Sequence, residues 1–146
     1  MKIPQLSLFL ENRPGQLGHP CRELANAGIN ILTLSLADTQ QFGILRLIVH
    51  DWQRAKQVLE AAGHVVNVTE VVAIEVADRP GGMADLLEAL ESASINIEYM
   101  YAFNFRRGDD AAVVIRFDDP DSALKILEKA GFKIVSSTDV FDGKDG

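Results

Sequence analysis

Residues 6–31 and 72–97 are two copies of one pattern, aligned without a gap at a spacing of 66 residues. Each copy opens on an alternating apolar run: Leu6, Leu8 and Leu10 in the first, Val72, Ile74 and Val76 in the second. The run enters a turn, Glu11-Asn12-Arg13-Pro14-Gly15-Gln16-Leu17 or Ala77-Asp78-Arg79-Pro80-Gly81-Gly82-Met83, and a helical pattern follows. Alternation at period two is a strand signal, so each turn carries a strand end straight into a helix N-terminus. Proline fixes φ, and the glycine after it lets the backbone approach whatever sits above the turn. The unbonded N–H groups of the first helical turn and the positive end of the helix dipole then converge on one spot, which suits a carboxylate or another small anion. The duplication means that whatever one half of the 146 residues forms, the other half forms again. Units of roughly 70 residues have marginal cores alone, so they are expected to pack closely on each other or on a partner chain.

Along the chain, residues 5–10 read as a strand and 16–27 as a helix with Leu17, Cys21 and Leu24 on one face, ended by Gly28. Pro20 fits that helix only in its first turn, where its missing N–H costs nothing. Residues 29–37 form a second strand, and 42–50, apolar on both faces apart from Arg46, a central third. Asp51 caps a helix running to Ala62, and Gly63 stops it. Residues 65–76 are β-rich and unbroken, and must hold the last strand of one unit and the first of the next. In the second unit, Met83, Leu86, Leu87 and Leu90 mark the first helix, and 97–105 the second strand. A loop at 106–110, a strand at 112–117, a helix opened by Asp119-Pro120 and stopped by Gly131, and a strand at 132–136 complete it. Each unit, 1–69 and 70–146, thus reads β-α-β-β-α-β. With right-handed crossovers this gives an α+β, ferredoxin-like fold: an antiparallel sheet with strands one and three in the middle and both helices on one face.

A net charge of −7 with 47% hydrophobic residues describes a soluble globular chain and argues against a nucleic-acid binder, which needs a basic face. The single adjacent basic pair, Arg106-Arg107, reads as solvated loop. Cys21 is the sole cysteine, so no internal disulfide forms and a reducing compartment is expected. No signal peptide and no membrane-spanning run is visible, which points to the cytoplasm, and the polar residues 142–146 should fray.

The chemistry of an enzyme is hard to find. There is no nucleophile elbow, phosphate-binding loop or paired-cysteine metal spacing, and His19, His50 and His64 follow no ligand pattern. The acidic runs at 109–110 and 118–121 are explained by loop solvation and helix capping, and Cys21 by core packing. No catalytic residue, metal or cofactor is therefore assigned. Tyr99, Tyr101, Phe103 and Phe105 share one face of an edge strand, which packing between units explains better than a pocket for an apolar or aromatic ligand. Asn12 and Asp78 are able to bond a ligand's ammonium, but also to cap their own turns, and Asn30 and Asn96 suit left-handed positions between helix and strand.

Ferredoxin-like units with Asn/Asp-Arg-Pro-Gly after strand one and Gly-x-Asn-Ile before strand two resemble ACT domains, regulatory modules that bind amino acids. Glu11-Asn12-Arg13-Pro14-Gly15 with Gly28-Ile29-Asn30-Ile31 is most similar to the serine-binding ACT domain of phosphoglycerate dehydrogenase. That domain has a histidine where this chain has Leu10 and Val76, so the departure points to a less polar ligand. The resemblance implies a ligand-binding set of Asn12, Arg13, Pro14, Gly15, Leu17, Asn30 and Ile31 from the first copy. From the second it implies Asp78, Arg79, Pro80, Gly81, Gly82, Met83, Asn96 and Ile97. It implies a non-catalytic effector sensor, with an amino acid as its small-molecule ligand, an unidentified regulated enzyme as partner, and a homodimer through free sheet edges. An interaction module without a ligand and a small enzyme on the same fold stay open beside it. The helix between the two motif halves spans about 12 residues, roughly 18 Å, so they lie at opposite ends of one unit. One small ligand would therefore need Asn12 with Asn96 and Asp78 with Asn30, placing sites between units, or, in a homodimer, Asn12 facing Asn30 of the other chain; the within-chain pairing is the expectation.

Overall fold

The computed structural model describes residues 1–11, 13–39, 41–107 and 110–136. The elements are β1 (Ile3–Glu11), α1 (Gly18–Asn26), β2 (Ile31–Thr39), β3 (Phe42–Val49), α2 (Trp52–Ala61) and β4 (Val66–Ala77). They continue with α3 (Gly82–Ser92), β5 (Ile97–Arg107), β6 (Asp110–Phe117), α4 (Pro120–Lys129) and β7 (Ile134–Val135). Two compact units result. The N-terminal unit is Pro4–Thr69; the C-terminal unit comprises the residues from Glu70 onward together with Met1–Ile3.

In the N-terminal unit β3 pairs antiparallel with β1 on one side and β2 on the other, with Leu45 opposite both Leu8 and Leu36. In the C-terminal unit β6 holds the same place between β4 and β5, and β7 pairs with β4 on the side opposite β6. This is the ferredoxin-like α+β arrangement, twice. It follows from alternation. Leu6, Leu8, Leu10, Leu45, Leu47 and Val49 all project to one face and are buried under Leu24, Ala55 and Leu59 of the two helices. Val72, Ile74, Val76, Val113, Ile115 and Phe117 do the same under Leu86, Leu90, Ala123 and Leu127. Each such aliphatic side chain contributes about 1.5–3 kcal/mol by leaving water, which is what makes units of this size hold their sheets. On the other face Gln5 is buried, and its Nε2 donates to Thr69 Oγ1 at 3.3 Å.

The helix ends follow local chemistry. Asp51 caps α2 by accepting from the Arg54 N–H at 3.2 Å, and Asp119 caps α4 by accepting from the Ser122 N–H at 3.2 Å and its hydroxyl at 2.6 Å. All four helices close with paired bonds of the Schellman type, in which a 6→1 bond is nested over a shorter one. In α1 the Ile29 N–H reaches Leu24 O at 2.9 Å and the Gly28 N–H reaches Ala25 O at 3.0 Å. That motif needs a left-handed residue, which is Gly28 in α1 and Ser94 (φ 57°) in α3.

Several sequence expectations need correction. The stretch 106–110 is not a loop throughout: β5 runs on to Arg107, which pairs with Asp110 at the start of β6. The ladder, rather than composition, sets that strand's length. Helix α1 starts at Gly18 rather than Gln16, the later start that Pro20 in the first turn calls for: Pro20 is its third residue, where no intrahelical acceptor awaits an N–H. Its buried residues are Pro20 and Leu24, while Cys21 is only half-buried and Leu17 is exposed. The left-handed positions fall at Gly28 and Ser94, two residues before Asn30 and Asn96. The last strand is two residues long rather than five. Asn12, Asp109 and the tail from residue 137 lie outside the described residues, so the readings placed on them are not addressed by the fold.

Candidate ligand-binding site

The two turns fold alike. Arg13 N–H bonds Glu11 O at 2.9 Å, and Arg79 N–H bonds Ala77 O at the same distance. Gly15 and Gly81 share φ 90°, a conformation that a side chain resists. Neither helix after these turns has a side-chain cap: the N-cap residues are Leu17 and Gly81. The second helix of each unit is capped by an aspartate instead. In α3 the first intrahelical bond runs from Asp85 N–H to Gly81 O at 2.9 Å, so the N–H groups of Met83 and Ala84 have no acceptor within the helix.

Over that helix end lies a cavity of about 400 Å³. Its walls are apolar: Val76, Met83, Met100, Ala102, Ala111 and Val113, with Ala77 and Ala84. Asp78, Arg79 and Gly81 supply its polar rim. The Arg79 guanidinium reaches Asp85 Oδ2 at 3.4 Å and Pro80 O at 3.2 Å, which keeps it beside the turn. Four residues of the ligand-binding set, Asp78, Arg79, Gly81 and Met83, thus meet at one concave surface. Pro80 is exposed on the same turn, and Gly82 is buried beneath it. The volume and the balance of apolar wall to a few polar groups are those of small-molecule sites.

The remaining residues of the set lie elsewhere. On β6, Ala111 pairs with Val76 and Phe117 with Ile97, so Asn96 and Ile97 stand about six residues, roughly 20 Å, from the turn. In the N-terminal unit, Phe42 pairs with Glu11 and Val49 with Ile31, which separates Asn30 and Ile31 from Arg13 and Pro14 in the same way. Arg13 forms a 2.8 Å ion pair with Glu11, and together with Gln41 and Phe42 these line a shallow cavity of about 240 Å³. Pro14, Gly15 and Leu17 are exposed.

Met100, Ala102 and Ala111 carry no signal of their own in the sequence. Met100 and Ala102 reach the cavity because a bulge between Ile97 and Tyr99 resets the alternation of β5, and Ala111 reaches it from β6, where it pairs with Val76. The same bulge puts Tyr99, Tyr101 and Phe103 opposite Arg116, Val114 and Ala112, on the face away from the helices, so these three do not line this cavity; the side chain of Phe105 lies outside what is described. An equivalent bulge between Ile31 and Thr33 in β2 would have been findable only from the repeat.

Sequence reading also gave no hint that His19 and His64 meet. Nδ1 of His19 and Nε2 of His64 are 2.8 Å apart, and Glu23 lies 3.7 Å from Nε2 of His19. Burial and then the neighbouring His19 hold the His64 imidazole below its ordinary value of 6.5. Among the described residues, no group of three or more His, Cys, Asp and Glu side chains is placed to hold a metal ion. Among the described residues, no helix is long and apolar enough to cross a membrane.

A family model for an ACT domain pair matches residues 1–142. An aspartokinase of Corynebacterium glutamicum is 28% identical over an alignment of 138 residues, and the match covers 84% of this chain and 32% of that enzyme. This chain therefore spans about a third of the length of the curated relative it matches. A protein of Bacteroides thetaiotaomicron with a known crystal structure is 36% identical, covers 97% of this chain with 96% of its own, and superposes with a TM-score of 0.88. The ligand-free regulatory subunit of aspartate kinase from Thermus thermophilus superposes with a TM-score of 0.64 at 20% identity, over 88% of this chain and 92% of its own, a likeness of fold.

Proposed function

This chain belongs to the ACT domain pair family, and from that premise we propose that it is a non-catalytic regulatory protein that binds an amino acid. Each of the units 1–69 and 70–146 is one ACT module. The observation that carries the reading is the cavity of about 400 Å³ at the uncapped start of α3, where Asp78, Arg79, Gly81 and Met83 meet. An α-amino acid is complementary to it group by group. Its carboxylate suits the N–H groups of Met83 and Ala84 at the positive end of the helix. Its ammonium suits the Asp78 carboxylate, and its side chain suits the walls formed by Val76, Met100 and Val113. Those walls offer nothing polar to a serine hydroxyl, so the ligand is an apolar or aromatic amino acid. The other residues of the set, Asn12, Arg13, Pro14, Gly15, Leu17, Asn30, Ile31, Pro80, Gly82, Asn96 and Ile97, shape the turns and the entries to the second strands.

Binding reports an amino-acid level only through a state that the ligand prefers. Its readout is a partner enzyme, for which the aspartokinase relative and the aspartate kinase regulatory subunit supply the precedent. The edge strands β2 and β5 support self-association into a dimer. A single free cysteine is consistent with a cytoplasmic setting.

A thermal-shift screen of the twenty amino acids and their 2-oxo acids tests the reading. Apolar amino acids should raise the midpoint, since a ligand at 100 times its Kd adds about 2.7 kcal/mol. Absence of any shift, with no heat in calorimetric titration, overturns it.

A further inference from the structure

On the strength of that amino-acid-binding reading, we infer that the two turns are not equivalent sites. The C-terminal unit holds the open one, for an apolar α-amino acid, and Leu36 fills its counterpart in the N-terminal unit. The sheet registers make the correspondence. Leu10 pairs with Gly43 as Val76 pairs with Ala111, and Leu36 pairs with Leu45 as Ala102 pairs with Val113. The cavity wall formed by Ala102 and the floor formed by Ala111 are therefore Leu36 and Gly43 in the first copy.

The pair is exchanged in size. Cδ1 of Leu36 stands 3.1 Å from the point that a Cβ on Gly43 would occupy, so its isobutyl group lies directly across the bare glycine. A methyl at Gly43 would press on it; the glycine is what lets the leucine lie down. In the C-terminal unit the floor residue carries a methyl group and the wall residue lacks the three outer carbons of leucine. The space they leave forms part of the cavity of about 400 Å³. A leucine held on the sheet itself competes with any free ligand without loss of translational freedom, so the first site stays closed to a side chain. The outer surfaces of Leu36 and Leu34 remain about half exposed, at 52% and 49%, which leaves room to change Leu36 without opening the core.

Calorimetric titration of the full chain with L-leucine, L-isoleucine, L-methionine and L-phenylalanine tests the inference, with L-serine and L-aspartate for contrast. The best apolar probe should bind at one equivalent per chain. Ala102→Leu should weaken it at least tenfold. Leu36→Ala should add a second equivalent. Thermal melts of each variant identify any that fails to fold, and Leu36→Ala, a gain of binding, is not produced by misfolding. Two equivalents in the unsubstituted chain, unchanged affinity in Ala102→Leu, or no second equivalent in Leu36→Ala would overturn the inference and leave the amino-acid reading standing. No binding of any probe, to the parent chain or to Leu36→Ala, would overturn that reading and the inference together.

Discussion

Gly82 lies so close to Ala77 that a Cβ on the glycine would collide with the Ala77 carbonyl oxygen. The contact brings the first turn of α3 down onto the end of β4 and sets the N–H groups of Met83 and Ala84 at the cavity. The neighbour is backbone, which has no rotamer to escape into. Gln16 holds the same place in the first copy, and there the helix begins two residues further along the repeat, at Gly18 rather than at Gln16. Gly82→Ala should therefore destabilise the chain by about 1–3 kcal/mol and shift the start of α3. Chemical denaturation measures the first effect, and amide exchange at Met83 and Ala84 the second. A neutral substitution would mean that the turn relaxes freely.

Ser94 is the non-glycine residue with positive φ among the described residues, at 57°, and it occupies the left-handed closing position of α3 that Gly28 fills in α1. Glycine there removes the clash of Cβ with the backbone but adds freedom to the unfolded chain. The first effect is the larger. Ser94→Gly should stabilise by about 0.5–1 kcal/mol, read as a rise of a few degrees in Tm.

Asp119 accepts from both the hydroxyl and the N–H of Ser122, and these bonds hold its carboxyl below its ordinary value of 3.8. The stability it contributes is fully present above 3.8 and is lost as pH falls through the lower folded value. Asp119→Ala should lower the midpoint at pH 7 and flatten its fall in the most acidic range. A parallel acid profile in parent and variant would show that the cap is not the titrating element.

His64 behaves in the same sense for a different reason. Burial and the facing His19 disfavour its protonated form, while Glu23 partly offsets them. Its folded value is below 6.5, so stability linked to it is present above pH 6.5 and is lost as pH falls through the depressed value. Thermal midpoints measured from pH 7.5 to 5 should decline more steeply in the parent chain than in His64→Asn.

What the sequence made legible was whatever local chemistry decides. Period-two and helical runs, Asp119-Pro120 and the glycines that close α1, α2 and α4 placed nearly every element, because capping and alternation are rules of near neighbours. The ferredoxin-like order followed from the duplication. Arg107 was misread because a strand ends where its ladder ends, and pairing with Asp110 is a tertiary fact. Met100 and Ala102 were missed because a one-residue bulge inverts which side chains face the helices, and no residue type marks that bulge. The turn's likeness to a serine-binding domain rests on sequence alone, since Asn12 lies outside the described residues. The acidic turn residue of the second copy is where the proposed chemistry can be separated from the fold.

Asp78 is exposed on the cavity rim, so its removal should cost little stability, and in the proposed site it acts through its charge. An amino acid and its 2-oxo acid share a carboxylate and a side chain and differ in the ammonium group. If the carboxylate sits on the N–H groups of α3 and the side chain on Val76 and Met100, both molecules gain those contacts equally. The charge-assisted bond from ammonium to Asp78 belongs to the amino acid alone, and such bonds contribute about 1.5–3 kcal/mol. The parent chain should therefore prefer L-leucine over 4-methyl-2-oxopentanoate by roughly 10- to 100-fold. Asp78→Asn should reduce that preference tenfold or more, chiefly by weakening leucine, and should leave the oxo acid bound as well or better, since a repelling carboxylate is gone. Raising the salt concentration should narrow the preference in the parent chain and have little effect in the variant. An equal loss of both ligands in Asp78→Asn would make Asp78 a support of the turn rather than the ammonium's partner.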